Sequence, residues 1–202
     1  MKSKVASILV VLQLVVVFMS WLITAVAPQL GTRSLLSGVG IRWFLGHFAD
    51  NLAHPTLVWL VLFLITRGAW THSTLPTTLQ RFFSRHPLMF RQRLALRVVV
   101  VELILAVIVM LLLTAVPQAI LLSATGSLFP SSFSNSLIPI ITFIVSLVSV
   151  SFGLASGAMH SVGDIYRALT IGLRAHGDLL LIYILAMQLY VSLAFIIPDS
   201  LF

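Results

Sequence analysis

Five carboxylates, Asp50, Glu102, Asp164, Asp178 and Asp199, are spread over five different segments of this 202-residue chain. No two of them share an element at the spacing that a general acid–base pair needs. Six histidines (His47, His54, His72, His86, His160 and His176) show neither His-x-x-x-His nor His–Glu spacing, and cysteine is absent. Metal sites, disulfides and thiol nucleophiles are therefore not expected. There is no Gly-rich phosphate loop and no Gly-x-Ser-x-Gly elbow, so the chain reads as a non-enzyme without a cofactor.

Two charges stand apart because they fall inside apolar runs: Arg67 and Glu102. A charge in lipid costs at least about 2.5–3.5 kcal/mol and usually pairs or marks a pathway. The expectation is that these two pair and lock adjacent helices together. The alternative is that both snorkel to the headgroups, which the long stem of an arginine allows.

The elements that must position these residues follow from composition. The chain is 59% hydrophobic and 8% charged, with a mean hydropathy of +1.11. Soluble chains carry about 25% charged residues. Too little polar surface exists here to cover a water-facing globule, so side chains must meet lipid or one another. The net charge of +7 sits in segments between apolar runs, where Lys and Arg orient a membrane protein and meet anionic headgroups rather than nucleic acid.

The apolar runs predict an all-α, polytopic transmembrane bundle of about five spans in one domain over 1–202. The spans are 5–27, 55–75, 98–116, 137–159 and 179–197, each long enough to cross a core of about 30 Å. The first run is longer than a signal-peptide core and is read as a span rather than a cleaved leader. Gln13, Ser20 and Thr24 share one face of it, which predicts an inward, packed side. Between the first two spans, 39–53 is amphipathic, with Ile41, Phe44, Leu45, Phe48 and Leu52 at helical spacing and Trp43 suited to a headgroup boundary. It is either an interfacial helix or a re-entrant element lining a solute path. The stretch 77–97 is basic, and 118–136 is a charge-free, Ser-rich loop with Gly126 and Pro130. In the fourth span Ser146, Ser149, Gly153 and Gly157 continue a strip begun at Thr142, which predicts a close interhelical seam or, alternatively, a polar lining. Gln188 lies near the middle of the fifth span with Ser192 one turn on, and an amide there needs a partner across the bundle.

Five spans with the N-terminus in the cytoplasm put Lys2, Lys4, Arg81, Arg85, Arg91, Arg93, Arg97, Arg167 and Arg174 inside, against Arg33 and Arg42 outside. That positive-inside bias places the C-terminus outside.

Residues 33–75 also carry a resemblance. Leu35-Leu36-Ser37, Gly40-Ile41-Arg42-Trp43, Asp50-Asn51 and Pro55 at the head of the second span are similar to the N-terminal segment of the p-aminobenzoyl-glutamate transporter (AbgT) family. A fainter similarity joins Ser161-Val162-Gly163-Asp164 to that family's Tyr-Arg-x-Gly-Asp-Ser signature, with Asp164 matching the Asp and Ser161 standing where the family has Arg. Family members are longer, with more spans and re-entrant hairpins. The resemblance implies a bacterial inner-membrane protein, a homo-oligomer, and transport of a small anionic or aromatic solute. Asp50, Asn51, Asp164 and Gln188 are then the candidates for a substrate path. The rival expectation is a structural or accessory subunit whose Ser/Gly seam binds a partner membrane protein.

Overall fold

The computed structural model describes residues 2–114 and 132–197. Regular structure among the described residues is entirely helical: α1 (Lys2–Val26), a 3-10 turn (Pro28–Leu30), α2 (Gly38–Gly46), α3 (Phe48–Leu52), α4 (Pro55–His72), α5 (Leu75–Phe83), α6 (Phe90–Thr114), α7 (Ser132–Ser156), α8 (Val162–His176) and α9 (Asp178–Ile196). Residues 115–131, which hold the end of the expected third span and most of the Ser-rich loop with Gly126 and Pro130, lie outside the described residues, as does Asp199.

Four of these helices, α1, α6, α7 and α9, are long and apolar enough to cross a membrane, with mean hydropathies of 2.5, 2.9, 2.4 and 2.3. In α1 and α6 only 6% of the apolar window is buried. Side chains such as Ile8, Leu14, Phe18, Val101 and Leu112 point out of the packed protein. Surfaces so oily have no stable contact with water, and the chain is membrane-embedded. The helix at the expected second span, α4, has 18 residues and is not among the four, because Pro55, Arg67 and His72 dilute its apolar run.

Helix ends do not follow hydropathy. The basic stretch expected between spans is itself helical: α5 occupies its first part, and α6 begins at Phe90, so that Arg91, Arg93 and Arg97 fill its first two turns. Likewise α7 starts at Ser132, ahead of the expected 137, and carries Pro139 within it. A helix gains a backbone bond with each residue added, whatever the side chain, so polar residues extend it past the oily segment.

The described residues form two compact units, Met1–Val58 with Gly177–Phe202, and Trp59–His176. In the first, α1 lies parallel to α9: Lys2 Nζ is 2.8 Å from Asp178 Oδ2 at their starts, and Gln13 Nε2 donates to Ser192 Oγ at 2.9 Å further along. The polar face foreseen on α1 does turn inward. The Leu35 amide donates to Ser20 Oγ at 3.1 Å, and Thr24 Oγ1 donates to the Ser20 carbonyl at 2.8 Å and the Thr32 carbonyl at 3.3 Å. Ser37 then caps α2 by accepting the Gly40 amide at 3.0 Å.

From there the chain runs back along α9. Trp43 stacks on Phe195 at 4.2 Å near the end of α9, whereas Tyr183, near its start, donates to the Leu52 carbonyl at 3.3 Å. Those α9 residues are separated by about 18 Å at 1.5 Å per residue. The amphipathic segment therefore runs alongside α9 rather than across its end.

In the second unit, α6 and α7 pack antiparallel: Ala95 and Val99 meet Val148 and Phe152 with Leu75 in one buried cluster, while Met110 and Thr114 line a cleft with Phe133. The closest backbone approach is between α4 and α8. A Cβ on Gly68 would lie 2.6 Å from the Ala168 carbonyl oxygen and 2.7 Å from the Gly172 amide, and a Cβ on Gly172 would collide with the Leu64 carbonyl oxygen.

Because those contacts are backbone, no side-chain rotation relieves them. Gly172→Leu is expected to destabilise the protein by at least about 1–3 kcal/mol, the range for overpacking. Gly46→Ala, at a helical position with nothing within 4 Å of the new methyl, stays within about 1 kcal/mol of the parent. Thermal unfolding in detergent measures both, and equal midpoints would refute the crossing.

Candidate functional site

The first unit holds a buried polar set inside the apolar helix α9. Gln188 and Ser192 lie one turn apart on α9, so they share a face, and both are buried at 6% and 0% exposure. Gln13 reaches Ser192 from α1 with its Nε2 and leaves its Oε1 buried without a partner. Gln188 satisfies neither Oε1 nor Nε2. An unpaired buried polar group costs about 1–3 kcal/mol, so this seam holds unspent donor and acceptor capacity at the middle of a membrane helix.

The sequence candidates fall in different places. Asn51 is on α3, half-buried, with its Nδ2 buried and unpartnered, and shares the first unit with Gln188. Its neighbour Asp50 is exposed. Below them a short relay ties α3 and the head of α4 to α9: His54 Nδ1 lies 3.0 Å from Thr56 Oγ1, and Thr56 Oγ1 donates to Tyr183 Oη at 3.2 Å.

Asp164 belongs to the second unit and works as a helix cap. Its Oδ2 accepts the amides of His160 and Ser161, each at 3.1 Å, and its own amide donates to Ser161 Oγ at 3.2 Å. This is a reciprocal capping box at the start of α8. Ser161 is thus the residue that pairs with Asp164. The His160 amide first, and then Ser161, hold the carboxyl below the ordinary carboxylate range.

The anticipated Arg67–Glu102 pair does not form. Arg67 is exposed, and Glu102 Oε2 is buried without a partner. On α4, Thr66 turns to α7 and Gly68 to α8, so Arg67, about 100° round the helix from each, is aimed away from both. The seam on α7 is shared out among several tasks. Ser146 Oγ bonds Thr66 Oγ1 at 2.9 Å, Ser149 is buried and donates to its own Val145 carbonyl, and Gly153 makes room for Met159. Gly157, at φ +80°, is the left-handed residue that ends the helix, a conformation that suits glycine.

Residues the sequence reading missed are Gly68, Ala168 and Gly172, the Lys2–Asp178 pair and the Trp43–Phe195 stack. Ala168 and Gly172 carried a signal, since small residues four apart mark close helix contacts. Among the described residues no cluster of three His, Cys, Asp or Glu side chains is placed to hold a metal ion.

The depressed carboxyl of Asp164 gives a pH dependence. A group whose pKa is lowered by folding stabilises above its unfolded value, near 3.9, and loses that contribution as pH falls through the folded value. Asp164→Ala is expected to unfold earlier than the parent at pH 7, with the gap closing below about pH 4. A gap that persists at acid pH would show that the cap does not act through the carboxylate. No family model, curated protein or solved structure matches the chain.

Proposed function

We propose that the chain is an integral membrane protein related to the p-aminobenzoyl-glutamate transporter family, moving a small anionic or aromatic solute across the inner membrane. The observation that carries this reading is Gln188: an amide buried inside α9 with its donor and acceptor both unused. A solute with amide and carboxylate groups supplies the missing partners. Asn51, on the returning segment, offers a second free donor. Asp164 also caps α8. The parallel run of α1 and α9 supports termini on opposite sides of the membrane, and the positive-inside bias of the sequence assigns the N-terminus to the cytoplasm.

The second reading, an accessory subunit, is favoured by the apolar faces of α1 and α6, which are large enough to seat a partner span or a second copy. Proteoliposome uptake separates the two. Uptake of p-aminobenzoyl-glutamate by the parent, reduced at least about tenfold in a folded Gln188→Leu variant, is the expected outcome if the amide supplies one or two solute hydrogen bonds. Equal uptake by parent and variant dismisses the seam as the path, and absence of uptake by the parent dismisses transport.

With no native cysteine, side-chain access can be read from single cysteines. A cysteine at Asp50 is expected to react with a small water-soluble thiol reagent, and one at Val101 is not. Protection of both would rule out a water-reached path along α3.

A further inference from the structure

The basic end of the second unit has a feature that a solute path along α9 does not use. Between residues 77 and 97 there are five arginines and no acidic residue. The ion pairs among the described residues, Lys2–Asp178 and Arg167–Asp164, take up none of the five. Two of them, Arg93 and Arg97, stand at one end of an apolar groove of about 640 Å³ between α5 and α6, whose walls include Leu79, Phe82, Leu96 and Leu103. A smaller adjoining cleft of about 290 Å³ is bounded by Arg85, His86 and Arg93.

Arg93 belongs to both clefts. Its Nε donates to the Leu88 carbonyl at 3.1 Å, which leaves its terminal nitrogens to another acceptor. Phe82 and Phe83 on α5 are 57% and 79% exposed, beside guanidiniums that are exposed as well. Cationic heads at one end and an oily trough leading away from them form an amphiphile's complement. The dimensions agree: from Arg93 to Leu103 α6 rises about 15 Å at 1.5 Å per residue, half of a hydrocarbon core of about 30 Å.

We propose that this groove is a binding site for one anionic phospholipid, with the headgroup phosphate held by Arg93, Arg97 and Arg85 and one acyl chain lying along α6 between Phe82 and Leu103. Guanidinium forks match phosphate oxygens in geometry and charge, and the apolar walls exclude a free hydrophilic anion as the full occupant. Since the basic segment is the one that the charge bias assigns to the cytoplasm, the lipid comes from that leaflet. The site is independent of the solute path through α9.

Delipidated protein in neutral detergent, titrated with phosphatidylglycerol, phosphatidylcholine or inorganic phosphate and followed by native mass spectrometry and thermal unfolding, tests this. Phosphatidylglycerol is expected to bind one to one and raise the unfolding midpoint, with phosphatidylcholine and phosphate weaker by about tenfold or more. Arg93→Gln with Arg97→Gln lowers phosphatidylglycerol affinity by a similar factor, as does Val100→Trp, which fills the groove and keeps every charge. Arg81→Gln with Arg174→Gln removes the same charge elsewhere and leaves affinity within about threefold. Equal losses in the two double variants would mean diffuse charge attraction and overturn the site. No preference over phosphatidylcholine, full replacement by phosphate, or indifference to Val100→Trp would each overturn it too.

Discussion

Inside a lipid bilayer the backbone has no water to bond, and this constraint orders everything else in the molecule. Each amide and carbonyl has to be closed within its own segment, which is why the described residues form helices and turns alone. The same rule reaches the side chains. Serine and threonine hydroxyls bend back to their own helices, as Ser149 does to Val145 and Thr142 to Ile138. A few do more: Thr66 bonds its own Leu62 and also spans to α7, and Ser20 accepts an amide from the segment that follows α1. Against that background an amide such as Gln188, with both ends unused, is conspicuous.

The two units solve helix association differently. The first relies on polar and aromatic contacts spread along α9: an ion pair at its start, an amide–hydroxyl bond in its second half, and the Trp43–Phe195 stack near its end, with Arg33 set 5.8 Å from the same ring. The second relies on absence of bulk, with Gly68 and Gly172 letting two backbones touch, and on a small cluster around Phe152 and Leu75. Lipid tails are as apolar as leucine, so oily burial contributes little to helix pairing in a membrane, and close packing and hydrogen bonds carry it. That is consistent with how few residues are buried here and how many of the buried ones are Ser, Thr, Gly or Ala.

Much of this was legible beforehand because it depends on local pattern. The apolar runs located the long helices, and the spacing of Gln13, Ser20 and Thr24 identified the packed side of α1. What stayed hidden depends on three-dimensional aim. Arg67 and Glu102 looked like partners because both are charged and sit on neighbouring helices, yet the directions taken by Thr66 and Gly68 turn the arginine outward. Asp164 was singled out through a motif, and its reach back to His160 and Ser161 adds a capping role that the motif did not suggest. The helical character of the basic stretch was missed because hydropathy reports where oil ends, and a helix ends where its hydrogen bonds do. The Gln188 seam was half legible: its need for a partner could be read, but its isolation could not.

The bond from Gln13 to Ser192 joins residues 179 positions apart. A ribosome adding about 5–20 residues per second needs roughly 10–35 s to cover that interval. Until α9 is made, Gln13 and Lys2 lack the groups that later receive them. The first unit is therefore closed by chain made long after it was opened.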